Sequence, residues 1–162
     1  MWKEYDNAWA KYQEGLKIKS LPLLSWGQFS SASIERNAFE SIQKNWKNKE
    51  NVHEILTMLH REVIITNTHF EIVFATEGVY QMNGYHPSEL IGKSPRIFQG
   101  ELTSQSVKDK IKAAMSQKIP FKEVVLNYKK DGSTYHCEIE AFPKFNKRGT
   151  FLNYIAFERI AS

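Results

Sequence analysis

The side chains able to do chemistry are few and dispersed in this chain. It has one cysteine, Cys137, and five histidines: His53, His60, His69, His86 and His136. No two histidines stand at metal-ligand spacing with a cysteine or carboxylate cluster, so no metal is expected. No nucleophile is paired with a base. Gly84, Gly92 and Gly100 belong to separate turns and not to one phosphate-cradling loop. The chain is therefore expected not to be an enzyme. Cys137 lies in an alternating run, and nothing near it in sequence would lower its pKa. A redox sensor and a packed thiol are both open for it, and packing is the ordinary fate of such a residue.

A third feature is aromatic. Trp2, Tyr5, Trp9, Tyr12 and Leu16 recur at alternating spacings of three and four, which puts them on one face of a short helix. That face has two uses open to it: packing on the chain's own domain, or meeting a protein partner or a second copy. Two heptads alone make a weak coiled coil. Pro22 ends this helix. Ile34, Ala38, Ile42 and Trp46 are expected to form a second stripe, and Val52, Ile55, Leu56 and Leu59 a third. Residues 1–60 thus read as an N-terminal helical extension, with a domain over 61–162.

The chain has 162 residues, 41% of them hydrophobic, enough for one domain with a real core. The formal charge of +4 comes from scattered lysines rather than a dense basic face, so nucleic acid is not an expected partner. There is no apolar run of bilayer-spanning length and no apolar signal core, so neither membrane association nor export is expected. With a single cysteine, a cytoplasmic location is the expectation.

From Arg61 the period shortens to two. Val63–Thr66 and Phe70–Phe74, split by Asn67-Thr68-His69, predict a hairpin. Short helical pieces follow, with Pro87 at the start of one and Gly92 at its stop. Thr103 or Ser104 is placed to cap a helix over 103–116 carrying Val107, Ile111, Ala114 and Met115 on one face. Strands are expected over Phe121–Lys129, Thr134–Phe142 and Thr150–Ile160, joined by Lys130-Asp131-Gly132 and Asn146–Gly149. An α+β fold accounts for this order: one five-stranded antiparallel sheet with short helices on one face.

Five landmarks, taken in order, carry a family resemblance. They are Ile72-Val73-Phe74-Ala75-Thr76, Asn83-Gly84-Tyr85, Glu89-Leu90-Ile91-Gly92-Lys93, Arg96-Ile97-Phe98-Gln99-Gly100 and Asn127 to Gly132. Over residues 61–161 the chain resembles a PAS domain, and the last two landmarks resemble its light-oxygen-voltage (LOV) branch. Pro95 stands where that branch has its photoreactive cysteine, and proline has no thiol for covalent flavin chemistry.

The resemblance implies a cup between sheet and helices that holds flavin mononucleotide (FMN) in LOV domains. By that likeness Arg96 matches a phosphate-gripping arginine, for which pairing with a carboxylate is the structural alternative. Gln99 matches a ribityl contact, Lys112 a second phosphate-binding arginine, and Asn127 one of two ring-reading asparagines. At the ring end the pattern changes. Ser94 and Pro95 replace an asparagine and the cysteine, Cys137 the second asparagine, and Glu158 a glutamine that donates to the ring. An ionised Glu158 has no donor, and burying it unpaired is costly. It could donate only if its pKa were raised enough to keep it protonated. Haem, held by a histidine on the longer helix in PAS domains that carry it, finds none in 103–116. The function implied is a sensory module that regulates a partner or a second copy through protein–protein interaction. A noncovalent FMN sensor is the alternative, and the true ligand is unknown.

Overall fold

The computed structural model describes residues 24–57 and 59–162, with side chains described from residue 33. Trp2, Tyr5, Trp9, Tyr12, Leu16 and Pro22 lie outside that range. The chain divides into two compact units, residues 1–34 and 35–162, and the second carries the sheet.

Strands β1 (Glu62–Thr66), β2 (Ile72–Ala75), β3 (Phe121–Tyr128), β4 (Thr134–Phe145) and β5 (Phe151–Ile160) form one antiparallel sheet in the order β2-β1-β5-β4-β3. Short polar side chains close the turns. Asn67 Oδ1 accepts from the backbone N–H groups of His69 (2.8 Å) and Glu71 (3.0 Å). Asp131 Oδ1 accepts from Ser133 N–H at 2.9 Å, beside Gly132 at φ +85°. Asn146 Oδ1 does the same for Arg148 and Thr150, each at 2.9 Å. These are Asx-type turns, the reason such residues signal a chain reversal. Strand β4 runs past the expected end at Phe142. Pro143 and Lys144 keep register with Tyr154 and Asn153, and the Phe145 ring packs on Phe151 at 5.9 Å.

Between β2 and β3 come α3 (Val79–Asn83), α4 (Pro87–Leu90), a 3₁₀ turn (Pro95–Phe98) and α5 (Gln105–Gln117), preceded in the chain by α1 (Leu24–Gln43) and α2 (Val52–Thr57). Ser104, one of the two capping residues expected, holds the N-cap position of α5, and Thr103 does not cap it. Its hydroxyl donates instead to Leu126 O (2.8 Å) and accepts from Gly100 N–H (3.0 Å), tying the loop to β3. Gly100 lies so close to the Tyr128 ring that an added Cβ would collide with it, while the Tyr128 hydroxyl accepts from Leu102 N–H at 3.0 Å. Gly100→Ala is therefore expected to cost about 1–3 kcal/mol by overpacking. Chemical denaturation should show that cost shrink when Tyr128→Ala is already present, since the two changes share one space.

Alternation along the strands sends Val63, Ile65, Phe74, Ile155 and Phe157 to the outer face and Ile64, Cys137 and Tyr154 to the inner one, and a register shift between Ile65 and Thr66 breaks the alternation in β2 so that Ile72 also packs on the inner side. Phe39, Trp46, Val52 and Ile55 cover the outer face. The stripe expected on α1 is thus displaced. Phe39, Gln43 and Trp46 are buried with Ile42 beside them, whereas Ala38 is exposed. Phe39 decides the rotation, meeting Phe74 edge-on at 5.6 Å. Gln43 can be buried because its amide grips the Glu50 backbone at both N–H (2.8 Å) and C=O (3.2 Å). On α2, Val52 and Ile55 are buried, and Leu59, past its end, is exposed.

Candidate functional site

The inner face of the sheet and the segments around α5 enclose a cavity of about 650 Å³, a size that suits a small-molecule ligand. Its floor is apolar, formed by Ile64, Val125, Ile139, Ala141 and Ala156. The β4–β5 register sets Ala141 opposite Ala156, and these two small side chains leave the space that larger ones would fill. The Tyr154 hydroxyl donates toward Ile119 O (2.9 Å) and Ala114 O (3.1 Å), holding the C-terminal end of α5 against β5. Burial pushes that phenol up to about 12, so it stays a donor throughout the working pH range.

Five of the sequence-predicted residues, Arg96, Gln99, Lys112, Asn127 and Glu158, line this one cavity. Cys137 stands in the wall behind them, fully buried, with its thiol donating to Glu158 Oε2 at 3.6 Å. Burial pushes the thiol far up, with the Glu158 charge adding to the effect, so Cys137 is a packed thiol rather than a reactive thiolate. Ser94 and Pro95 also reach the cavity, and Ser94 Oγ accepts from Arg96 N–H at 3.4 Å. Arg96 makes no ion pair among the described residues, so the loop is not braced by the carboxylate partner considered for it.

Charge is graded from outside to inside. Arg96 and Lys112 are exposed and Lys108 half-buried, with Asp109 as the one acid among the α5 lining residues. Deep inside, Glu158 is 4% exposed and Asn127 3%. Burial raises the Glu158 carboxyl to about 7; the Cys137 thiol lowers it, and the charge of Glu62 raises it. Thr66 Oγ1, also on the cavity wall, is buried without a hydrogen-bond partner.

Sequence reasoning missed Ile64, Thr66, Phe70 and Lys108. The first two follow from strand alternation once Tyr154 is placed, because β1 pairs Thr66 with Tyr154 and Ile64 with Ala156. Lys108 lies one helical turn before Lys112. Phe70 gave no such signal: it sits at φ +61°, a left-handed backbone that a bulky residue seldom adopts, with its ring 6.4 Å from Phe151 and 6.3 Å from Tyr154. Among the described residues no group of three His, Cys, Asp or Glu could hold a metal ion, and no helix is long and apolar enough to cross a membrane.

The sequence profile of the PAS domain family matches residues 61–159. Phototropin-2 of Oryza sativa subsp. japonica is 31% identical over 87 residues, 54% of this chain and 10% of that protein. The nitrogen fixation regulatory protein of Klebsiella oxytoca is 23% identical over 97 residues, 60% of this chain and 20% of that one. The chain thus spans no more than a fifth of the length of either relative. Among solved structures, a light-oxygen-voltage domain described with a flavin analogue superposes with a TM-score of 0.65 at 25% identity, covering 70% of this chain and 87% of that one. The dark structure of the Aureochrome1 LOV photoreceptor gives 0.64 at 24% identity over 72% and 86%, a likeness of fold.

Proposed function

The chain belongs to the PAS domain family, and from that premise we propose a sensory module that acts by binding rather than catalysis. A small molecule in the cup alters how the outer sheet face holds residues 35–57, and a protein partner or a second copy reads the change. On this reading residues 61–162 form the sensor domain and the helices before it the transmitting extension.

One observation supports this most. Thr66 reaches the cavity with its side chain, while its carbonyl accepts from Asn153 Nδ2 at 3.0 Å. The other end of that amide, Asn153 Oδ1, accepts from Trp46 Nε1 at 2.9 Å, beyond the end of α1. A ligand that repositions Thr66 therefore acts on a group bonded to the outer cover. Such a ligand must bind the two arrangements with different affinity.

A second reading, noncovalent FMN, is favoured by the gathering of Arg96, Gln99, Lys112 and Asn127 around one cavity. These suit a phosphate-tailed ligand, and a bound flavin would supply visible absorption and redox chemistry. The Glu158 end suits an oxidised ring edge only when its carboxyl is protonated and can donate. Titration with FMN tests this reading through the blue absorption band. Bound FMN is expected to be lost by about tenfold or more on Arg96→Ala, since a charge-assisted hydrogen bond contributes at least that much. A protein that leaves added FMN spectrally unchanged rules the flavin reading out. Hydrogen exchange over residues 35–57 that is identical with and without a bound ligand would refute the sensory coupling. A strict monomer in sedimentation would leave only a different protein as partner.

A further inference from the structure

The lining of the cup is polar at two places, with the apolar floor between them. Tyr154, the register partner of Thr66, lies four residues before Glu158, about 13 Å along β5 at strand rise. Ile64 and the Ala141–Ala156 pair fill the interval. The Glu158 carboxyl accepts one hydrogen bond, from the Cys137 thiol, a weak donor. No donor among the described residues reaches its Oε1. Thr66 Oγ1 is buried and unpartnered on the same wall. A buried carboxyl with an open acceptor is costly unless something donates to it. On the solvent side, Arg96, Lys108 and Lys112 make no ion pairs among the described residues, so they are open to an anion.

We propose that the cup selects an elongated acid carrying a hydrogen-bond donor, an ammonium or a ring N–H, at its far end. The donor meets Glu158, and the acid meets Arg96 and Lys112. This inference rests on reading the cup as a ligand site and names the chemical class of ligand that fits it. A donor removes the cost of desolvating the buried carboxylate, whereas an acceptor at that end faces oxygen with oxygen and is rejected. The body between the two ends is apolar, to match Ile64, Ala141 and Ala156.

The test uses two probes that differ in one group, ω-aminododecanoate and dodecanoate, titrated calorimetrically into the full chain at pH 8. The aminated acid is expected to bind about tenfold or more tighter, the size of effect that a charge-assisted hydrogen bond gives. Glu158→Gln should remove that preference by weakening ω-aminododecanoate, and circular dichroism checks that the variant is folded. Arg96→Ala should weaken both probes alike. Equal or tighter binding of dodecanoate, or a preference that survives Glu158→Gln, overturns the inference while the cup stands as a ligand site. If neither probe nor FMN binds, the reading of the cup falls and takes the inference with it.

Discussion

Glu158→Gln is expected to flatten the pH dependence of stability, and above pH 7 to leave the protein about 3 kcal/mol more stable relative to wild type than it is below pH 4.5. The cause is the buried carboxyl, which titrates near 7 in the folded state against an ordinary value of 4.5. Between those two values the folded protein holds a proton that the unfolded chain has released. Stability therefore falls as pH rises through that window, and the loss is complete once pH passes 7. The interval is 2.5 pH units, and one unit is about 1.36 kcal/mol. Glutamine cannot ionise, yet its carbonyl can still accept from the Cys137 thiol, so the variant lacks the slope without losing that contact. Urea denaturation at pH 5, 6, 7 and 8 should show wild type losing stability more steeply than the variant, which keeps only the smaller slope of the other groups, such as Glu35, whose carboxyl burial also raises. A difference between the two that stays constant over that range would contradict the assignment of a strongly raised carboxyl to Glu158.

The same residue shows how far the sequence could be read. Alternation was enough to aim Glu158, Tyr154 and Ala156 at one face, and the family resemblance, carried over position by position, implied Arg96, Gln99, Lys112 and Asn127 around a cup. These are local periodicities, or motifs whose spacing the backbone preserves. What sequence did not disclose depends on partners distant along the chain. Lys144 looks like surface, yet it is 7% exposed because Glu50, 94 positions away, pairs with it and its ammonium lies 5.2 Å from the Trp46 ring centre. Gln43 looks like the polar side of α1, but it is buried because the Glu50 backbone satisfies it at both ends. The helix rotation set by Phe39 likewise depends on Phe74, which no helical pattern contains. Burial of a polar group follows its hydrogen bonds, and those are decided in three dimensions.

Trp46→Ala is expected to cost about 3–5 kcal/mol. The ring is 3% exposed, meets Phe39 edge-on at 6.2 Å, and lies under the Lys144 ammonium. Removing it opens a cavity in the cluster that joins residues 35–57 to Val63, Ile65, Ile155 and Phe157. It also leaves Asn153 Oδ1 without its donor. Trp46→Phe separates the two effects. It keeps most of the ring, loses the N–H, and should cost about 1–3 kcal/mol for the orphaned acceptor. That cost should shrink when Asn153→Ala is already in place, because the pair is one interaction. The decisive measurement is where the protein loosens. Hydrogen exchange in Trp46→Phe should speed over residues 35–57 and stay slow along β4 and β5, because the helical cover lets go before the sheet does. Uniform acceleration across the sheet would mean that the cover and the sheet unfold as one unit, leaving residues 35–57 unable to transmit anything on their own. The same packing explains why cutting the chain at residue 61 should produce an aggregating fragment: Val63, Ile65, Phe74, Ile155 and Phe157 would then face water as a single apolar surface.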